Sequence, residues 1–131
     1  MTAWLAGMRI TAARLLTDTP TITTTGLVAA SGFSVNDFRG ARSGNVIVLD
    51  MYVQRTGAAI ALTSGNLPDT AACTAPAGWR PTHGTINGDW DDGTATGGFV
   101  IGTDGLCTLR TSTGDIATGR NLRMHVSFIV E

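Results

Sequence analysis

The chain has 131 residues, a length that suits one domain able to bury about two thirds of its unfolded surface and so to fold without staples. Only 15% of its residues are charged, against about 25% in an ordinary soluble domain, which implies a surface rich in Thr, Ser and Gly, or one covered by other subunits. The net charge is −1 and Lys is absent; single arginines scattered from Arg9 to Arg123 make no basic stripe, which argues against nucleic-acid binding by counterion release, and no apolar run reaches the ~18 residues that span a bilayer.

Residues 1–18 differ from the rest. "MTAWLAGMRITAARLL" has no charged start before an unbroken apolar core, and Arg9 interrupts it, so it does not read as a secretion signal. Synthesis in the cytoplasm without the usual secretory route is expected. Thr11 is placed to cap a short helix over Ala12–Leu16. A helix that short does not stand alone in water. It must pack on something, and a partner subunit is a candidate, through Trp4, Met8, Ile10, Leu15 and Leu16. The following "TDTPTITTTG" reads as a linker or a first strand.

From there the pattern is strand and turn. In "NVIVLDMYVQR" (45–55), Ile47, Leu49, Met51 and Val53 share one face, and Val46, Val48, Asp50, Tyr52 and Gln54 the other. "RTGAAIAL" implies a turn at Thr56-Gly57 and a strand through Ile60 and Leu62. In "TAPAGWRP", Pro76 and Pro81 cannot donate ladder hydrogen bonds, Pro81 favours extended backbone at Arg80, and Gly78 permits a tight corner. The stretch reads as a loop-to-strand corner with Trp79 as its packing anchor. Asn87-Gly88 in "TINGDW" and Asp104-Gly105 in "GGFVIGTDGLCTLRT" are hairpin signals, and "TSTGD" turns at Gly114. The last segment, "NLRMHVSFIVE", alternates cleanly. Leu122, Met124, Val126, Phe128 and Val130 oppose Arg123, His125 and Ser127, so its register is well specified. A C-terminal strand this apolar is expected to be central or covered by a neighbour. Strands about ten residues apart with Gly-rich turns predict an all-β chain, and an eight-stranded jelly-roll-like β-sandwich is the expected topology.

The chemistry-bearing residues are few. Cys73 and Cys107 read as two partly buried thiols, with a disulfide left open. Their spacing and the two histidines do not compose a zinc site. His83 and His125 have no Gly-x-Ser-x-Gly elbow to serve. Asp50 sits mid-strand, as a hydrogen-bonded or Arg-paired group at a subunit contact would, and no second acid can be assigned opposite it. The run "GDWDDG" places Asp89, Asp91 and Asp92 near one another, but lacks the central Gly spacing and downstream Glu of a calcium loop. A solvated hairpin tip with Asx-turns is the plainer reading. Trp90, between aspartates at that tip, is expected to be exposed. Trp90, Asp89, Asp91 and Asp92 are therefore the candidate contacts for a ligand or receptor. No catalytic residue, metal or cofactor is expected.

"NLPDTAACTAPAGWRP", followed by "GGFVIGTDGLCTLRT" and a closing apolar strand, resembles tail-associated proteins of bacteriophages and prophages. The pieces are Pro76, Gly78, Trp79, Arg80 and Pro81, then Val100, Asp104 and Gly105. The start "AWLAGMRITAARLL" is similar to the N-termini of minor tail proteins of actinobacteriophages. The resemblance implies residues 1–18 as an attachment segment and 19–131 as a β-sandwich head domain. It implies a non-enzymatic homotrimer on a tail tip, fibre or baseplate. That trimer would be assembled in the host cytoplasm, reside in the virion tail, and contact other tail proteins or the host surface. A carbohydrate-binding receptor-recognition module reading a host cell-wall glycan, and a capsid-decoration or head-fibre protein, are the alternatives.

Overall fold

The computed structural model describes residues 19–131. The chain there is all-β, with nine strands: β1 (Thr21–Thr23), β2 (Val28–Ala29), β3 (Phe33–Ser43), β4 (Val46–Arg55), β5 (Thr70–Thr74), β6 (Ile86–Asp91), β7 (Thr96–Ile101), β8 (Leu106–Leu109) and β9 (Asn121–Ile129). Every pairing is antiparallel, and the strands join one sheet in the order β1-β3-β4-β9-β6-β7-β8-β5-β2. Eight strands divided between two sheets were expected; the ladder links nine in one. The expected helix at Ala12–Leu16, and Trp4, Met8, Ile10, Leu15 and Leu16, lie outside the described residues.

Chain connectivity forces this sheet to curl. β3 is second from one edge and β2 is the opposite edge, seven strand spacings away. Laid flat, that is about 34 Å. Only Ala30, Ser31 and Gly32 join β2 to β3, and so short a link reaches at most about 14 Å. The two ends of the sheet must therefore approach each other, wrapping the apolar faces around a common interior. Packing agrees: Met51 on β4 touches Cys73 on β5 and Cys107 on β8, each at 3.9 Å between sulfurs.

The interior is built from the alternation of the long strands. Ile47, Leu49, Met51 and Val53 of β4, and Leu122, Met124, Val126 and Phe128 of β9, are all buried. Their outward neighbours Asp50, Arg123, His125 and Ser127 are exposed. β9 lies between β4 and β6, so the apolar C-terminal strand is central. The two edges are very short, which limits their capacity to template pairing with other chains.

Several local expectations are corrected. Asn87-Gly88 is not a hairpin. Both residues lie inside β6, paired with Val100 and Phe99. Gly88 is required there because a Cβ would stand 2.6 Å from His125 O and from the Phe99 ring. Ile60 forms an isolated bridge to Ile116 in place of a strand through Leu62. The Asp104-Gly105 turn is as expected, with Gly105 at φ 83° and its N–H bonded to Gly102 O at 2.9 Å.

The "TAPAGWRP" corner is structural. Trp79 lies on Gly40 of β3, where a Cβ would stand 2.9 Å from Trp79 Cε3. Arg80 Nε donates to Ala75 O at 2.8 Å, closing the corner on itself, and Ala75 N donates to Gly105 O at 2.9 Å, which pins it to the β7–β8 turn.

Candidate functional site

The outward faces of β3, β4, β9 and β6 form one continuous surface, and register decides what meets there. Two rows of side chains cross it. In the first, Arg39 faces Asp50, Asp50 faces His125, and His125 faces Asp89. In the second, Asp37 faces Tyr52, Tyr52 faces Arg123, and Arg123 faces Asp91. Basic and acidic groups alternate along the first row, and in the second Arg123 faces Asp91 on one side and neutral Tyr52 on the other; opposite charges directly across a strand pair attract.

Two contacts define the centre of this surface. His125 Nδ1 lies 2.7 Å from Asp50 Oδ1, a distance at which the ring N–H donates to the carboxylate. The Arg123 guanidinium carbon stands over the Tyr52 ring at 5.0 Å from its centroid, a cation–π geometry. The His125 and Asp50 side chains are 58% and 60% exposed, so water screens the pair and its contribution to stability is small. A shallow depression of about 410 Å³ surrounds Tyr52, with Asp37, Arg39, Asp50, Arg123 and His125 on its walls.

Beside the charged rows, along the strands toward the β3–β4 hairpin, the same surface becomes apolar. Ile22 faces Ala41, Ala41 faces Val48, and Val46 faces Ile129. Ile22, Val46 and Ile129 are 47%, 45% and 73% exposed. An apolar band bordered by charged groups is the anatomy of a contact surface.

The structure redistributes the residues of "GDWDDG". Trp90 is not on a loop tip. It lies within β6, points inward and is 2% exposed, with Nε1 donating to Thr111 O at 3.1 Å. A sugar ring has no access to it, so Trp90, contrary to expectation, offers no platform for a ligand. Strand alternation instead sends Asp89 and Asp91 outward, onto the charged rows. Asp92 serves the turn: its Oδ1 accepts from Thr94 N at 2.8 Å and Ala95 N at 2.6 Å. Asp91 Oδ1 accepts from Gly93 N, so the expected Asx-turns are present.

Asp50 and His125 are the residues that sequence reading left apart. Each was legible as an outward residue of an alternating strand. Their meeting required the β4–β9 register, which brings together two side chains 75 positions apart in sequence. The pair could orient an imidazole, as a hydrolytic site does. Ser127, the next outward hydroxyl on β9, is two residues along, about 7 Å away by strand rise, which is beyond hydrogen-bond reach of a base. Among the described residues, no three His, Cys, Asp or Glu side chains gather as a metal centre would need.

The thiols are interior. Cys73 and Cys107 are free and 0% exposed. The hydrogen bond with Cys73, and then burial, push the Cys107 thiol above its ordinary range. It stays protonated and weakly nucleophilic while the fold is intact.

No protein-family model matches the chain, and a search of curated proteins finds no significant match.

Proposed function

We propose that the chain is a non-enzymatic structural component of a phage tail or tail-like particle, acting as the head domain of a tail tip, fibre or baseplate and assembling as a homotrimer. The observation that carries this reading is the apolar band of Ile22, Val46 and Ile129 beside the alternating charges. Such a surface is stabilised by being covered, and the charged rows next to it supply the register for a partner. The low charged fraction supports extensive subunit contact as well. The packing of Met51 against Cys73 and Cys107 supports reading the two halves of the curled sheet as the layers of a jelly-roll-like sandwich. In this reading residues 1–18 attach the protein to the particle, and residues 19–131 face outward.

Light scattering on the purified chain tests the assembly. A trimer at micromolar concentration is expected, and a stable monomer at that concentration would refute it. Val46→Lys combined with Ile129→Lys should yield a folded monomer. If the variant remains trimeric, the band is not the interface. Deleting residues 2–18 should abolish incorporation into particles while the trimer persists, and incorporation of the truncated chain would end the attachment role.

A second reading, receptor recognition of a cell-wall glycan, is favoured by the depression around Tyr52. Asp37 and Asp50 there can accept from sugar hydroxyls, and Arg39, Arg123 and His125 can donate. A glycan array comparing wild type with Tyr52→Ala separates this from a purely structural role, because equal binding removes the site. Locating the protein on intact particles separates a tail position from capsid decoration.

A further inference from the structure

Three sulfur atoms meet inside the sheet. Cys73 Sγ and Cys107 Sγ each lie 3.9 Å from Met51 Sδ, and all three residues are buried. The two cysteines are also direct partners across β5 and β8. The hydrogen-bond ladder shows what kind of partners they are. Ala75 N donates to Gly105 O at 2.9 Å, two positions further along the same pair of strands. In an antiparallel pair, hydrogen-bonded and non-hydrogen-bonded pairs alternate, so Cys73 and Cys107 belong to the same hydrogen-bonded class, with Cα atoms about 5.5 Å apart. A disulfide requires a Cα separation of about 4.4–6.8 Å, which this class of pair meets, and Cβ atoms about 3.5–4.5 Å apart, closer than directly opposed strand neighbours usually stand, so β5 and β8 must draw together locally to bridge. Both side chains point to the same interior atom, as bridging requires. The bulge between Ala71 and Cys73 leaves β5 locally irregular, which gives the strand room to adjust.

We propose that Cys73 and Cys107 form an oxidation site: a latent cross-strand disulfide that ties β5 to β8 and closes the loop containing β6 and β7. With a peroxide as oxidant, one thiol sulfur takes an oxygen from hydrogen peroxide to become a sulfenic acid, and one water leaves. The second thiol attacks that sulfur, the S–S bond forms, the S–O bond breaks, and the hydroxyl departs as a second water with the attacking thiol's proton. Two electrons pass from the sulfur pair to the peroxide, and nothing else is consumed.

Access governs the rate. Both thiols are fully buried, so oxidation proceeds through local opening rather than at the native surface. The opening has an obvious place. β5 is covered on its outer side by β2, an edge strand of two residues. Once formed, the bond restricts the unfolded chain between Thr74 and Leu106, and the oxidised protein resists unfolding more than the reduced one. This inference rests on the ladder geometry and the sulfur contacts, and is independent of the proposed virion role.

The test uses the full chain, freed of reductant and exposed to dilute hydrogen peroxide. Intact-mass spectrometry without reductant should show a chain that has lost two hydrogens and remains single. Maleimide titration in denaturant should show both thiols disappearing together and returning with dithiothreitol. The chain has only two cysteines, so an intrachain loss of two hydrogens identifies the bond without a variant. The rate should rise in urea well below the unfolding midpoint, and the oxidised chain should unfold at a higher urea concentration. Cross-links between chains, or oxygen added to cysteine or Met51 as the first stable product, would overturn the assignment. So would thiols that persist until global unfolding, or an oxidised chain with a lower midpoint.

Discussion

Gly97→Ala tests how the inward anchor of β6 is held. Gly97 is the β7 partner of Trp90. A carbon added there would overlap the Thr111 carbonyl and stand 2.8 Å from Trp90 Cε2. Backing away is difficult, because the 110–113 segment is fastened along β7. Arg110 N and Thr111 N both donate to Gly98 O, at 2.9 and 3.2 Å, and Gly98 N donates to Thr111 Oγ1 at 2.8 Å. Thr113 N donates to Thr96 O at 2.9 Å. Overpacking of this kind costs about 1–3 kcal/mol. Displacing Thr111 also strains the Trp90 Nε1–Thr111 O hydrogen bond, worth about 1 kcal/mol. The sum is a loss of about 2–4 kcal/mol, which lowers the melting temperature by roughly 8–16 °C at ~4 °C per kcal/mol for a chain of this size. Urea unfolding followed by tryptophan fluorescence measures it. Gly114→Ala is the matched control: a Cβ there meets only Ala95 Cβ at 3.8 Å, and stability should be unchanged or raised by up to about 1 kcal/mol. A Gly97→Ala protein within half a kcal/mol of wild type would show that the 110–113 segment yields freely, and the packing argument would fail.

Trp90→Phe keeps most of the buried ring but leaves Thr111 O without its indole donor, and a loss of about 1–3 kcal/mol is expected in the same assay. The Cys107 thiol gives a pH effect. Its value in the folded chain lies above the ordinary 9.0, so folding is favoured by the protonated thiol below that value. As pH rises past it the unfolded chain sheds the proton first, and stability falls by up to about 1.4 kcal/mol per pH unit. Comparing urea midpoints of wild type and Cys107→Ala at pH 7.5 and 10 should show a steeper decline for wild type, and parallel declines would contradict it. A double-mutant cycle with Asp50→Ala and His125→Ala should return a coupling of no more than about 1 kcal/mol, because the pair is exposed; a larger value would mean the pair is more shielded from water than its exposure indicates.

How much was legible follows from which regularities survive along the chain. β4 and β9 keep strict alternation, so their inward and outward residues could be assigned before any pairing was known. β3 escaped that reading although it is the longest strand. Its register shifts between Val35 and Asp37, so the buried Phe33 and Phe38 fall an odd number of residues apart and the period of two is broken. Asn87-Gly88 misled for a related reason. Its glycine answers a steric demand of Phe99 and the His125 carbonyl rather than a turn. A contact between strands leaves no local trace in sequence. The same holds for Trp90. Its flanking aspartates suggested a wet loop, whereas alternation within β6 sends the aspartates out and the indole in.

The sequence by itself determined an all-β chain, the faces of its two longest alternating strands, the Asp104-Gly105 hairpin and the packing role of the Trp79 corner. All of these rest on periods and turn chemistry that act over a few residues. Only the tertiary structure decided the order of the strands, the curl that the three-residue β2–β3 link imposes, and the neighbours on the outer surface. Asp50 with His125, Tyr52 with Arg123, and Cys73 with Cys107 are each separated by dozens of residues and joined by register. Register is the sum of long-range burial and hydrogen bonding across a whole ladder, so the site it assembles exists only once the sheet does.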